Sequence, residues 1–510
     1  MISFLTLAAF RTSAILIWML VLAPEWVKAG ALNSLPANSE TTVTVRLLSP
    51  LSSFSSRPGD EFQAIVVAPM ESRGQVLVPR NSIVYGRVTK KRKVGRGFIH
   101  ERATMQLEFY GWRPPGGTQQ PFSAQLTEID NAREQVLTNG RIKGILATSG
   151  PPGFLLGMWR RPDLSMFGRA SIGFSGIAHF TWLQSNFHPA MAPAIAGLRM
   201  LAVRFPEPEI HLPAGSDLIL SIRSRLQPFG GAQQEERRPE TSEFVPLAAA
   251  QPLLTTRGNG DKTADITNIL FIGSKDDVEQ AFDQAGWHTA DTMAPQSILR
   301  AYRAMTTQDA YLTAPVSLLQ LEGRPPDLVF QRSLNTIAKR HHIRVWKQPD
   351  LVDGREVWVA AATHDTGIQV RAGGMSYTHR TDPYIDKERR KVVEDLKFAG
   401  CVESENLVDR PDFSDEPYGR ISTDGRMSVV QLKTCTPTVD FRVVSQIPPE
   451  RISPSARLLR RFILENRHAI IRGNLYYVAY QGISAQWKKR QRPVPPQVER
   501  ETESFDTPVD

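Results

Sequence analysis

Between residues 41 and 225 the chain is written in short runs of alternating β-branched and polar residues, at 43–48, 62–67, 82–88 and 218–224. A period of two sends successive side chains to opposite faces of a strand, and such runs separated by Pro, Gly and Asn turns predict an all-β barrel or sandwich-like domain. A weak repeat accompanies them. Leu35-Pro36-Ala37-Asn38-Ser39, Val78-Pro79-Arg80-Asn81-Ser82 and Leu212-Pro213-Ala214-Gly215-Ser216 each put a proline turn just ahead of a strand. The proline fixes φ and the Asn or Gly tolerates a positive φ, so each copy can set the same entry geometry.

Further along, Gly, Pro, Phe, Met and Trp accumulate, and residues 170–198 contain no Asp, Glu, Lys or Arg. Interruption by Gly, Pro and polar residues argues against a simple transmembrane helix. An apolar insertion over 148–203 that meets a membrane is one expectation, and a long buried or disordered loop is the other. The polar, turn-rich stretch 226–262 predicts a linker. A mixed pattern follows: an apolar strand at 268–272 ending in Gly273-Ser274, helical spacing over 276–285 with a stop at Gly286, and two strands turning back through Asp353-Gly354. A helix over 383–399, with Ile385, Val392, Leu396 and Ala399 on one stripe and Gly400 as its stop, then a strand at 428–432, continue the unit. An amphipathic helix near 455–467 and a last strand in "LYYVAYQGI" extend it. The fold expected is multidomain, an all-β domain over 30–225 followed by an α/β, mixed α+β domain over 263–487, with a disordered tail at 488–510.

Composition narrows the class. The 41% hydrophobic and 22% charged residues over 510 positions argue against collagen, wholesale disorder and a multi-pass membrane protein. Two cysteines exclude a disulfide-rich scaffold and a cysteine-built zinc finger. Arg11, the apolar run 14–23 and Val27-Lys28-Ala29 predict a signal peptide over 1–29 and export to the periplasm or outer membrane, a retained anchor being the alternative. In that oxidising compartment Cys401 and Cys435 either bridge or stay as buried thiols. Charge is uneven: residues 30–225 hold 22 basic against 13 acidic residues, and 226–510 hold 37 against 38. Arg87, Lys90, Lys91, Arg92, Lys93 and Arg96 suit anionic lipid head groups or a solvated hairpin tip. Nucleic acid is not expected, because no aromatics are interleaved for base stacking.

The chemistry-bearing residues gather in one place. His341, His342, His364 and His379 fall within 39 residues out of a chain total of ten histidines. A hairpin at Asp353-Gly354 brings His341 and His342 close to His364 and Asp365, and Asp382, ahead of Pro383, is placed to start the next helix with Asp386 one turn inside. His342, His364, His379, Asp365, Asp382 and Asp386 are therefore the candidate catalytic set. His379, Asp382 and His364 are the candidate ligands of a divalent metal ion, and Arg324, Arg344 and Arg389 the candidates for holding a phosphate. The alternative is structural: a helix cap at Asp382, a surface pair between Asp386 and Arg390, and histidines bonded within a polar edge.

Two resemblances add to this. "RPGDEFQAIVVAPM", "LVPRNSIVYGRV", residues 102–112 and "RPPGG" resemble the β-barrel domain of TrbI-type conjugation-channel proteins. That resemblance implies a scaffold, and an insertion that lines a membrane channel in an oligomer. "NILFIGS", "AGW", "APVS", "LEGRPPDLVFQ", "RHHIRVW", "VWVAAATHD" and "HRTDPYIDKERRKVVEDLKFAG", in order from 268 to 400, resemble the LssY C-terminal domain family. Domains of that family often accompany a PAP2-type membrane phosphatase module. The Pro-Ser-Gly-His segment of that module is missing here, so phosphatase activity is not implied. The expected function is an envelope binding or assembly module, with envelope proteins or anionic lipids as partners and a homo-oligomer as one form. The rival is a metal-dependent hydrolase acting on a phosphate- or acyl-containing envelope substrate.

Overall fold

The computed structural model describes residues 42–72, 75–95, 102–145, 208–224, 244–257, 262–307, 309–370, 377–410 and 421–436, with a few isolated positions besides. The expected leader 1–29, the insertion 148–203, the elements after residue 437 and the tail 488–510 lie outside these, the isolated positions apart. Among the described residues no helix is long and apolar enough to cross a membrane.

Six longer strands make the wall of the first part: β1 (Thr42–Leu47), β2 (Glu61–Val66), β3 (Ile83–Arg92), β4 (Thr104–Arg113), β5 (Gln120–Ile129) and β6 (Asp217–Ile222). Their order is β3-β2-β1-β6-β5-β4, and β3 also pairs with β4, so these six strands close into an antiparallel barrel, with the short segments Ile142–Lys143 and Gln135–Val136 added beside β4. Val43, Val45 and Leu47 of β1 and Phe62, Ala64 and Val66 of β2 alternate into its core, as the period of two predicts. Phe62 meets Phe109 edge-on with centroids 5.7 Å apart. Gly86 faces that ring so closely that an added Cβ would run into it. Gly86→Ala is therefore expected to lower stability by about 1–3 kcal/mol through overpacking, because Phe109 blocks the ring's escape. An unchanged urea midpoint would mean that Phe62 turns aside freely.

The two described copies of the proline repeat share one geometry. Asn81 (φ 65°) and Gly215 (φ 86°) are left-handed. Ser82 Oγ donates to Pro79 O at 2.7 Å and Ser216 Oγ to Pro213 O at 2.6 Å.

The second part is built on a mixed sheet. Its longer strands are β9 (Ile269–Ile272), β10 (Leu328–Arg332), β11 (Arg340–Val352), β12 (Arg355–Val370), β13 (Tyr377–Thr381), β14 (Val402–Asp409) and β15 (Arg426–Leu432), with the short His288–Thr289 beyond β10. The order is β10-β11-β12-β9-β15-β14, with only β9 and β15 parallel, and β13 pairs with the far end of β12. Strands β11 and β12 turn through Asp353 (φ 51°) and Gly354 (φ 77°), the predicted hairpin. Helix α2 (Lys275–Gln284) starts with a capping box between Ser274 and Asp277, and Gly273-Ser274 is thus a helix entry. Cys401 and Cys435 form a disulfide.

Two expectations need correction. The stretch read as linker contains α1 (Val245–Ala250) and β7 (Leu254–Arg257), which pairs with β8 (Lys262–Ile266). Phe244 and Ala248 are buried there against Trp346, Val357 and Val359, so its apolar residues belong to the sheet's core. The helix α4 (Ile385–Phe398) begins later than Asp382, with Tyr384 at the cap position. Asp382 Oδ1 instead accepts the Tyr384 N–H at 3.0 Å, a turn spanning Pro383.

Barrel and mixed sheet belong to one compact unit. Ile65 and Val67 on the barrel's outer wall pack on Phe398 of α4. Beneath them lies a buried ionic network: Asp217 of β6 and Asp395 of α4 are bridged by Arg46 of β1, Arg332 of β10 and Lys391.

Candidate functional site

Along β11, alternation puts Arg340, His342, Arg344 and Trp346 on one face and His341, Ile343 and Val345 on the other. The register with β12 sets Arg340 opposite Asp365, His342 opposite Thr363 and His341 opposite His364. The four histidines are thereby divided between two faces of one sheet.

On the first face lies a cavity of about 290 Å³. Its polar wall is Arg340, His342, Arg344, Thr363 and Asp365, all buried, with His379 from β13 and Asp265 from β8. Asp365 is the hub. Its Oδ2 accepts from Arg340 Nε at 3.1 Å and stands 3.3 Å from His379 Nδ1 and 3.6 Å from His342 Nδ1. Arg340 Nη1 donates to Gln331 Oε1 at 3.1 Å and to Pro315 O at 3.2 Å, while its Nη2 takes part in none of these bonds. Arg344 Nη1 donates to Asp265 at 2.9 Å. His342 Nε2 meets Thr363 Oγ1 at 2.8 Å, and its Nδ1, buried, makes no hydrogen bond.

Burial sets the charge states. It pushes His342 well below the ordinary imidazole value, against Asp365 and with help from Arg344 and Arg340. His379 is also lowered by burial, with Asp365 opposing. For Asp365 burial works in the other direction and is outweighed by His342, His379 and Arg340, so this carboxyl stays below its usual value. At neutral pH the pocket thus holds neutral imidazoles beside charged guanidiniums, whose planar forks suit phosphate or carboxylate oxygens. A larger groove of about 660 Å³ on the barrel wall, over Gln106, Glu108, Tyr110 and Arg223, is lined by no histidine.

On the opposite face His341 is clamped. Its Nδ1 donates to Glu388 of α4 at 2.7 Å and its Nε2 to Asp130, just past β5 of the barrel, at 2.9 Å. His364 stacks on it with centroids 4.4 Å apart and bonds to Asn131 Oδ1 at 2.8 Å. Burial by itself would lower the His341 pKa, but Asp130 and Glu388 outweigh it and raise it to about 10. Asp130, His341 and His364 each bring one atom within 4.8 Å of the others. In the metal-free protein the raised pKa puts a proton on both nitrogens of His341, and the cluster then works as an ionic clamp between barrel and sheet; a metal there would have to displace one of those protons.

The remaining sequence candidates lie elsewhere. The proposed metal set is not brought together: His379 faces Asp365, His364 points to the barrel, and Asp382 serves its own turn. Asp386 accepts from Arg389 Nη1 at 3.0 Å, Thr423 Oγ1 at 2.9 Å and the Asp424 N–H at 2.7 Å, and Arg389 also pairs with Asp424. Both hold the loop before β15. Arg324 Nη1 donates to Lys347 O at 3.2 Å on the surface. Arg340, Thr363, Asp265 and Arg257 are the pocket residues that sequence reasoning missed; the first two were readable as i−2 neighbours of His342 and Asp365.

No curated protein matches this chain. Among solved structures, ComB10 of the Com Type IV secretion system of Helicobacter pylori aligns at 12% identity over 37% of this chain and 90% of its own. Its TM-score of 0.17 is too low to carry an argument. Every lining residue of the 290 Å³ cavity, from Arg257 to Thr381, falls in the segment 248–427, and that segment matches the family described as LssY C-terminus.

Proposed function

We propose that this is an exported cell-envelope protein in which the LssY-type sheet is a ligand-binding module mounted on the barrel as a scaffold, its pocket taking a small anion. The observation that carries the reading is the buried, unbonded Nδ1 of His342 in a cavity beside the arginines 340 and 344. A polar atom left without a bond in a buried site costs free energy, and a ligand oxygen placed there recovers it. The leader-like residues 1–29 and the disulfide at Cys401 and Cys435 support export. Envelope proteins or anionic lipids are the partners this reading expects, with residues 148–203 as the contact to a membrane or to further copies of the chain.

Binding is favoured over a metal-dependent hydrolase because the six catalytic candidates split. His342, His379 and Asp365 share the pocket, whereas His364, Asp382 and Asp386 serve the barrel contact and the α4 turn. Calorimetric titration of the full chain with inorganic phosphate tests the reading. Saturable one-site binding, weakened at least tenfold in Arg340→Met with its fold retained by circular dichroism, is the expected result. Equal affinity in the two proteins would sink it.

A further inference from the structure

The wall facing the arginines is apolar. Met293, Ile298, Ala301, Val316 and Ile337 line it, from helix α3 (Pro295–Thr307) and the segments around it. Among its described side chains, helix α3 buries the small Ala301 and Ala304 against Ala314 and Ile337, and leaves Ile298 and Leu299 about half exposed. Met293, Leu312 and Leu318 are exposed as well. Five of the ten large apolar side chains exposed among the described residues therefore fall between 293 and 318. Scattered singly such residues need no explanation, but Met293 and Ile298 line a polar cavity as well and there mark a binding surface.

Continuity and charge say what fits. Met293 and Ile298 both line the cavity and stand in solvent, so the apolar patch and the polar floor are one surface. Three guanidiniums, of Arg257, Arg340 and Arg344, face two carboxylates, of Asp265 and Asp365, which leaves an excess of positive charge for a head group. About 290 Å³ is small for a drug-sized ligand. It suits a head group with its first few carbons, the rest of a chain lying over α3.

We propose that the pocket binds a single-chain amphiphile with an anionic head, phosphate or carboxylate, seated among Arg340, Arg344 and His342, and an alkyl tail laid along Met293 and Ile298. The proposal rests on the reading of the pocket as an anion site and adds the tail. The test is titration of the full chain with inorganic phosphate, octyl phosphate, octanoate and octyltrimethylammonium, each below its micelle concentration. Each methylene taken fully out of water is worth about fourfold in affinity, so a half-buried octyl chain should bring octyl phosphate about 100-fold below inorganic phosphate in Kd. Octanoate should bind and octyltrimethylammonium should not. The double variant Met293→Gln/Ile298→Asn, at two exposed positions, should keep phosphate binding and lose at least tenfold of the gain from the tail. Equal affinity for inorganic and octyl phosphate would overturn the tail while leaving the anion site standing. Equal binding of the cationic amphiphile would overturn head-group recognition, and binding of none of the four would overturn both readings.

Discussion

Asp395→Ala is expected to destabilise the protein by about 3–5 kcal/mol, the cost of leaving buried charges uncompensated. Asp395 is fully buried and accepts at 2.8 Å from Arg46 Nη2, at 2.8 Å from Arg332 Nη1, at 2.8 and 2.9 Å from Lys391 Nζ, and at 3.1 Å from Trp287 Nε1. The three cations come from the barrel, from β10 and from α4; once Asp395 is gone they share Asp217, with Asp130 a longer contact at 4.0 Å from Lys391 Nζ. Burial alone would raise the Asp395 pKa; Arg332, Lys391 and Arg46 outweigh it and hold the group at about 2. A carboxyl lowered on folding stabilises above its unfolded value near 3.9, and that stability is lost as pH falls through about 2. Urea unfolding at pH 7 checks the first effect. An Asp395→Ala midpoint corresponding to less than about 1 kcal/mol would mean that water enters and solvates the three cations.

How much of this was legible in the sequence depends on how local the cause is. The barrel strands show in their alternation, and the β11–β12 hairpin in Asp353-Gly354, because turn chemistry and period act over a few residues. Half of the pocket was read from the sequence, His342, Arg344 and Asp365 through that hairpin and His379 as a separate piece ahead of the next helix. Gathering His364 into the same site failed on the same rule that makes strands readable, since it neighbours Asp365 and so points to the other face. Arg257 was hidden in a stretch polar enough to pass for linker, with Asp265 three residues past its end, although Phe244 and Ala248 in that stretch are core. The joint between barrel and sheet had no local mark at all. Arg46 sits on an alternating strand as any outward polar residue would, and its partner Asp395 is 349 residues away. Sequence shows that such a residue is polar and not that another surface buries it.

The clamp at His341 predicts the opposite pH limb. Its pKa stands at about 10 in the folded protein against about 6.5 in an unfolded chain. A group raised on folding contributes stability that is complete below the unfolded value and is lost as pH rises through the folded one. Between pH 6.5 and 10 the protein is therefore expected to lose on the order of 4 kcal/mol through this one group. As the proton leaves, one of the carboxylates of Asp130 and Glu388 loses its donor inside the joint, with only Lys391 Nζ at 4.0 Å from Asp130 to compensate. His341→Gln keeps one donor, costs stability at pH 6.5 and flattens the loss, because nothing at that position titrates. Urea unfolding of both proteins at intervals between pH 6 and 10 separates this from general alkaline unfolding. Parallel curves would show that the clamp is neutral, leave His341 with a lone pair on one nitrogen, and return Asp130, His341 and His364 to candidacy as metal ligands.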